Sequence, residues 1–269
     1  MNQEYLVVDR RRSRRRLRIM FLGVFLFLGL FFIVVTRFVN DYFDVRTITT
    51  EGNERVSEEA VHARVAYFVS KNINSSFFGK LFGAYNMAYM HSIDWKDLQK
   101  EDTRFLYTSA SLNILNHSLR VEIKEREPFG VWCGGDEKCF WFDKEGRLVS
   151  EAPMVQGFLI TRIEDSSLRE LNLGDLIIEG PVFMEHIMGI IEFIKEMPIP
   201  ADAIRVENNN DREVKVRFWD TPQHSFDIYF SLETHPRWAR DVILSLLKNG
   251  ELKNAEYVDL RIKNRVYYK

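Results

Sequence analysis

Eighteen consecutive residues without a charge, "IMFLGVFLFLGLFFIVVT" (19–36), restrict this chain more than any other feature. An apolar run of about 18–20 residues crosses a bilayer as a helix, because a helix satisfies every backbone N–H and C=O within the segment. Seven arginines precede it (Arg10, Arg11, Arg12, Arg14, Arg15, Arg16 and Arg18), against Glu4 and Asp9. The chain holds 37 basic and 39 acidic residues, so 30 and 37 remain outside that tail, and a basic end is joined to an acidic remainder. The basic flank predicts a cytoplasmic tail over 1–18, a transmembrane helix over 19–36 and an exterior location from Arg37 onward. A cleaved signal peptide would have a shorter apolar core, about 7–15 residues, ending at small residues. Here Val34, Val35 and Thr36 are followed by Arg37 and Phe38. An arginine cluster that touches a span reads as a topology signal rather than as a nucleic-acid site.

The exterior part is patterned as a globular chain, with 46% hydrophobic and 28% charged residues overall. Val45 to Thr50 predicts a short strand and "EGN" a turn. Ser57 then suits a helix N-cap, with Glu58 and Glu59 in the first turn. Val61, Val65, Phe68 and Val69 fall on one helical face. Residues 72–83 predict a loop with an apolar patch, either core or close to a bilayer surface. A short helix capped by Asp94 follows. "YTSASLNIL" and "SLRVEIKERE" predict two strands joined at Asn116-His117, the first with Ala110, Leu112 and Ile114 on one face.

After Pro128 the pattern is mainly short strands, with turns at "NNND" (208–211) and "TPQH". Two helices interrupt them. One lies between Pro181 and Pro198, and one is stopped by Gly250, with Trp238, Val242, Ile243, Leu246 and Leu247 on its apolar face. A largely antiparallel sheet carrying two helices accommodates this order. The fold class is therefore α+β, with domains over 43–127 and 128–269.

Cys133 and Cys139 flank "GGDEK" between two aromatic strand patterns, a hairpin signal. The pair is read as a disulfide, which an exterior compartment permits. Two free thiols, or part of a metal site with Asp136 or Glu137, remain as alternatives. Four ligands would be needed for structural zinc, and no His lies nearby.

"YVDLRIKNRVYYK" (257–269) alternates apolar even positions with polar odd ones, and only Asn264 breaks the apolar side. That predicts one long half-buried strand, held to a core by Val258, Leu260, Ile262 and Val266. At a sheet edge its outer backbone groups could accept a partner strand.

These words, in this order, resemble the FtsQ/DivIB family of bacterial cell-division proteins. "TTEGNERVS" (49–57) is similar to the family's V-x-G-N-x-x-V-S pattern, "LRVEIKEREPFGVW" to its E-R-x-P strand, "FWFDKEGRL" to its F-x-x-D-x-x-G stretch, and "YVDLR" to its D-L-R strand. Asn116-His117-Ser118 stands where a Pro is usual, and Ile262 where an aromatic often follows D-L-R. The resemblance implies a POTRA domain (β-α-α-β-β) over 43–127 and a β domain beyond it. It also implies a single-pass protein of the plasma (inner) membrane, enriched at the division septum, that links other division proteins without enzymatic activity. The implied partners are the coiled-coil pair FtsB and FtsL. The implied contacts are Asp259, Arg261, Ile262, Lys263, Arg265, Val266, Tyr267 and Tyr268.

Catalytic patterns are missing from the sequence. Its six His are scattered, and no H-E-x-x-H, G-x-S-x-G, P-loop or G-x-G-x-x-G occurs. The expectation is no cofactor, no metal, no small-molecule substrate and no nucleic acid. The alternative class is a membrane-anchored exterior enzyme acting on the cell wall.

Overall fold

The computed structural model of the chain describes residues 3–134, 138–154, 160–166, 170–208 and 212–269. Helix α1 (Gln3–Tyr42) is continuous over 40 residues, so the basic tail and the apolar run form one rod. Within it, Arg18–Val35 has a mean hydropathy of 2.6, and none of that window is buried. It is the one helix among the described residues that is long and apolar enough to cross a membrane.

The chain is a mixed α/β structure that divides into two compact units, the first of which includes α1. One comprises Met1–Glu101 with Tyr107–Lys124, and the other Asp102–Leu106 with Glu125–Lys269. In the first, β1 (Thr47–Glu51) precedes α2 (Glu58–Asn72), α3 (Phe77–Phe82), α4 (Met87–Ser92) and α5 (Leu98–Glu101). Strands β2 (Phe105–Asn113) and β3 (Ser118–Glu125) complete a sheet of order β1-β3-β2, with β1 parallel to β3. Four α-helices therefore lie between β1 and β2 among the described residues, where the sequence pattern suggests two. The extra pair comes from 72–83 and its sequel, where Ser76 and Asn86 each accept a backbone N–H and start a helix.

Ser57 caps α2 by accepting from the Ala60 N–H, and α2 buries Val61, Val65, Phe68 and Val69. Large polar-tipped side chains in this core are satisfied: the Tyr89 hydroxyl donates to Val69 O at 2.6 Å, and the Trp95 indole to Met90 O at 3.1 Å. The "EGN" turn needs its glycine. Gly52 has φ +86°, and a Cβ there would lie 2.1 Å from Ile123 O. Strand β2 starts earlier than the sequence suggests, burying Phe105 and Thr108, and Ile114 falls in the β2–β3 turn.

The second unit is built on a nine-stranded sheet among the described residues. Its strands are β4 (Gly130–Cys133), β5 (Cys139–Phe142), β6 (Leu148–Ala152), β7 (Arg162–Asp165), β8 (Ile204–Asn208), β9 (Glu213–Thr221), β10 (His224–Ser231), β11 (Tyr257–Asp259) and β12 (Tyr267–Tyr268). The order is β12-β11-β10-β9-β8-β7-β4-β5-β6. Helix α6 (Pro181–Glu196) connects β7 to β8, and α7 (Arg240–Asn249) connects β10 to β11. Both connected pairs are parallel, as a helical crossover requires, whereas the tight hairpins give antiparallel pairs. Both helices pack on one sheet face, over Val214, Val216, Phe226, Ile228, Phe230 and Val258.

Two expected details change. A 3-10 turn over Pro236–Ala239 precedes α7 and resets the helical phase. Ile243 is then buried and Leu246 and Leu247 partly so, while Val242 is exposed. The segment "GDLIIEG" (174–180) reads in the sequence as a strand end before the helix, but only its Leu176 makes a bridge, to Arg147, and no strand forms. The expected "NNND" turn lies largely outside the described residues.

Candidate partner interface

The sheet's other face is polar and ordered by register. Tyr267, Asp259, Tyr229, Lys215, Arg205, Glu164, Cys133 and Cys139 are successive neighbours across it. Strand alternation puts Asp259, Tyr229, Lys215 and Arg205 on the side opposite Val214, Val216, Ile228 and Val258. Cys133 and Cys139 form a directly opposed pair joined by a disulfide. Asp136 and Glu137, the alternative metal ligands, lie outside the described residues.

At one edge, 257–269 is not one long strand. β11 ends at Asp259, the chain turns through 262–265, and β12 returns antiparallel, pairing Tyr268 with Val258 and Tyr267 with Asp259. The Arg265 N–H donates to Ile262 O at 3.1 Å, and Asn264 sits at φ 62°. Asn tolerates the left-handed region, so the residue that breaks the apolar alternation is the one that lets the strand reverse. The consequences separate the expected core positions. Val258 and Leu260 are buried and Val266 packs partly on the core, but Ile262 is 53% exposed in the turn.

Lys263 and Arg265 also belong to the turn, so neither offers an edge N–H for strand pairing. Lys263 lines a cleft of about 480 Å³ with Glu185, His186, Glu233, His235, Arg237 and Trp238. Burial and the nearby His186 and Arg237 push the His235 imidazole below its ordinary pKa, against Glu185 and Glu192. Arg265 donates to the Tyr267 hydroxyl at 3.2 Å.

Arg261 is bound within the sheet rather than free. Its Nε and Nη2 donate to Asp259 at 3.0 and 2.7 Å, its Nη1 donates to Glu213, and its guanidinium stands 5.6 Å from the Tyr229 ring centre. Bonds to Asp259 and Glu213 hold Arg261 above its usual pKa range. The same side-chain bond holds the Asp259 carboxyl below its usual range, against burial. Arg261→Glu would therefore set three carboxylates together and disturb the hairpin. It is not a clean charge probe.

The outer edge belongs to β12. The Lys269 N–H donates to Tyr257 O at 3.3 Å, and Tyr257 N–H donates to Lys269 O at 3.4 Å. Antiparallel alternation then points the backbone N–H and C=O of Tyr268 away from β11, toward the open edge. Tyr267 and Tyr268 are 47% and 45% exposed, and the Tyr268 hydroxyl donates to Glu251 at 2.9 Å. The chemistry on offer is a short strand edge flanked by two phenols, with Arg265 and Lys269 beside it.

Arg126 and Asp143 come together although they lie in separate sequence words. The Arg126 Nη1 donates to Asp143 Oδ2 at 2.6 Å and to Glu145 Oε2 at 3.3 Å. Asp143 Oδ1 accepts the N–H groups of Glu145 and Arg147, each at 2.9 Å. Arg126 thus bridges within the second unit.

No protein-family model matches this chain, and no curated protein matches it.

Proposed function

We propose that this chain is a non-enzymatic, single-span scaffold of the bacterial division machinery, of the FtsQ/DivIB kind. It sits in the plasma membrane with its arginine-rich end in the cytoplasm. The observation that carries the reading is the open edge of β12, where Tyr268 presents its backbone outward. Strand addition at such an edge takes its affinity from main-chain hydrogen bonds and its specificity from alternate side chains. The flanking Tyr267, Arg265, Ile262 and Lys263 suit an acidic or amphipathic extended segment. The family resemblance nominates the FtsB and FtsL pair as its source.

Three further features support the reading. After α1 the first unit runs from β1 through helices to β2 and β3, an order compatible with a POTRA domain. Gly52 and the Arg126–Asp143 pair give physical reasons for the G-N, E-R-x-P and F-x-x-D-x-x-G words. α1 supplies a candidate anchor.

The test is capture of the FtsB–FtsL pair by the full chain, by a deletion of Tyr267–Lys269 and by Tyr268→Pro. Proline removes the outward donor. Both variants should keep their tryptophan fluorescence and lose capture. A folded deletion that captures the pair as tightly as the intact chain would refute the reading.

A further inference from the structure

We infer that the first unit seats on the lipid surface around the outer end of α1, through helix α3 and the β2–β3 turn. The inference rests on α1 crossing a bilayer. It concerns a different surface from β12.

α3 places its apolar residues outward for a local reason. Gly79 is its buried residue, and a Cβ there would lie 2.7 Å from Ile73 O and 3.0 Å from the Tyr89 ring. With Gly79 pressed inward, Phe77 is left 72% exposed, and Phe78, Leu81 and Tyr85 are exposed beside it, with Lys80 among them. The β2–β3 turn, far away in sequence, exposes Ile114 and leaves Leu115 91% exposed. The Phe77 and Phe78 rings stand 5.7 Å apart, and an exposed apolar cluster of this kind marks an interaction surface.

Both loops are tied to the few residues that follow α1. Val45 N–H donates to Tyr85 O at 2.7 Å, and Met87 N–H to Phe43 O at 2.8 Å. Arg46 N–H donates to His117 O at 2.8 Å, and the His117 ring meets the Tyr42 ring edge-on at 5.7 Å. A hydrocarbon layer of about 30 Å takes up about 20 helical residues, so Tyr42 lies roughly 6–10 Å past its outer edge, at headgroup level. Two independent loops thus bring exposed Phe, Leu, Ile and Tyr side chains to the depth where aromatic and apolar residues anchor proteins to lipid. Lys80 suits anionic headgroups. Strand β3 starts at Ser118 beside Thr47, and exposed Lys124 lies about 20 Å along it at the usual strand rise, at the end remote from the β2–β3 turn.

The test uses the full chain in nanodiscs of phosphatidylethanolamine and phosphatidylglycerol, with a nitroxide on Phe27→Cys, Phe77→Cys, Leu115→Cys or Lys124→Cys. Cys133 and Cys139 are bonded to each other, so the label goes to the introduced thiol. The ratio of collisions with oxygen to collisions with an aqueous nickel chelate should be several-fold higher at Phe77 and Leu115 than at Lys124. Phe27 should report the acyl interior. An interior signal at Phe27, with Phe77 or Leu115 reading like Lys124, overturns the seat and leaves the span standing. A water-exposed Phe27 overturns both.

Discussion

Replacing Arg126 with Ala should destabilise the second unit by about 3 kcal/mol, because it strands a buried carboxylate. The Arg126 and Asp143 side chains are only 11% and 8% exposed, and they meet at 2.6 Å. Breaking a buried pair from one side costs about 3–5 kcal/mol. Here Asp143 keeps two backbone donors, from Glu145 and Arg147, which places the cost at the low end of that range. For a unit of this size such a loss lowers the melting temperature by roughly 6–12 °C. Trp132, Trp141, Trp219 and Trp238 are four of the five tryptophans, and all lie in this unit, so tryptophan fluorescence follows its unfolding. Asp143→Ala should cost more, since it also removes the acceptor that organises 143–147. The double variant should show a coupling of about 1–3 kcal/mol. A loss below about 0.5 kcal/mol for Arg126→Ala would refute the account of why these two sequence words occur together.

Two further outcomes follow from the same geometry. Gly52→Ala should cost roughly 1–3 kcal/mol from the positive φ alone, before the contact with Ile123 O is counted. A shift in denaturant midpoint worth less than about 0.5 kcal/mol would contradict the turn described here. Asp227, like Asp259, has a depressed carboxyl: burial pushes it up, but bonds from Arg217 and Lys215 together outweigh that. Such a group stabilises the fold above its ordinary value of 3.8, and the contribution is lost as pH falls through the lower folded value. Between neutrality and about pH 3, the intact chain should therefore lose more stability than Asp227→Asn, and equal losses would sever that linkage.

What could be read in advance was local. Helix α2 announces itself through Ser57 and four apolar residues on one face, and α6 through a proline at each end. The misreadings share a cause: a short irregular turn inside a regular pattern. At 262–265 the alternation of two runs on through a reversal, and Asn264 was the one visible sign of it. Before α7, a 3-10 turn shifts which side chains face inward, and nothing in the residue types marks the change. In 72–83, one glycine rather than any periodicity decides which side of α3 is buried. Pairings distant in sequence, such as Arg126 with Asp143 or Arg261 with Glu213, depend on strand order, which periodicity does not encode.

Exchange of the single backbone N–H of Tyr268 tests the central claim most directly. In the free protein it should exchange quickly, because it points off the open edge of β12, whereas Lys269 N–H is bonded to Tyr257 O. On saturation with the FtsB–FtsL pair, residue-resolved hydrogen exchange should show strong new protection at Tyr268 and little change at Lys269. A saturated complex in which Tyr268 N–H still exchanges at its free rate would contradict docking by strand addition.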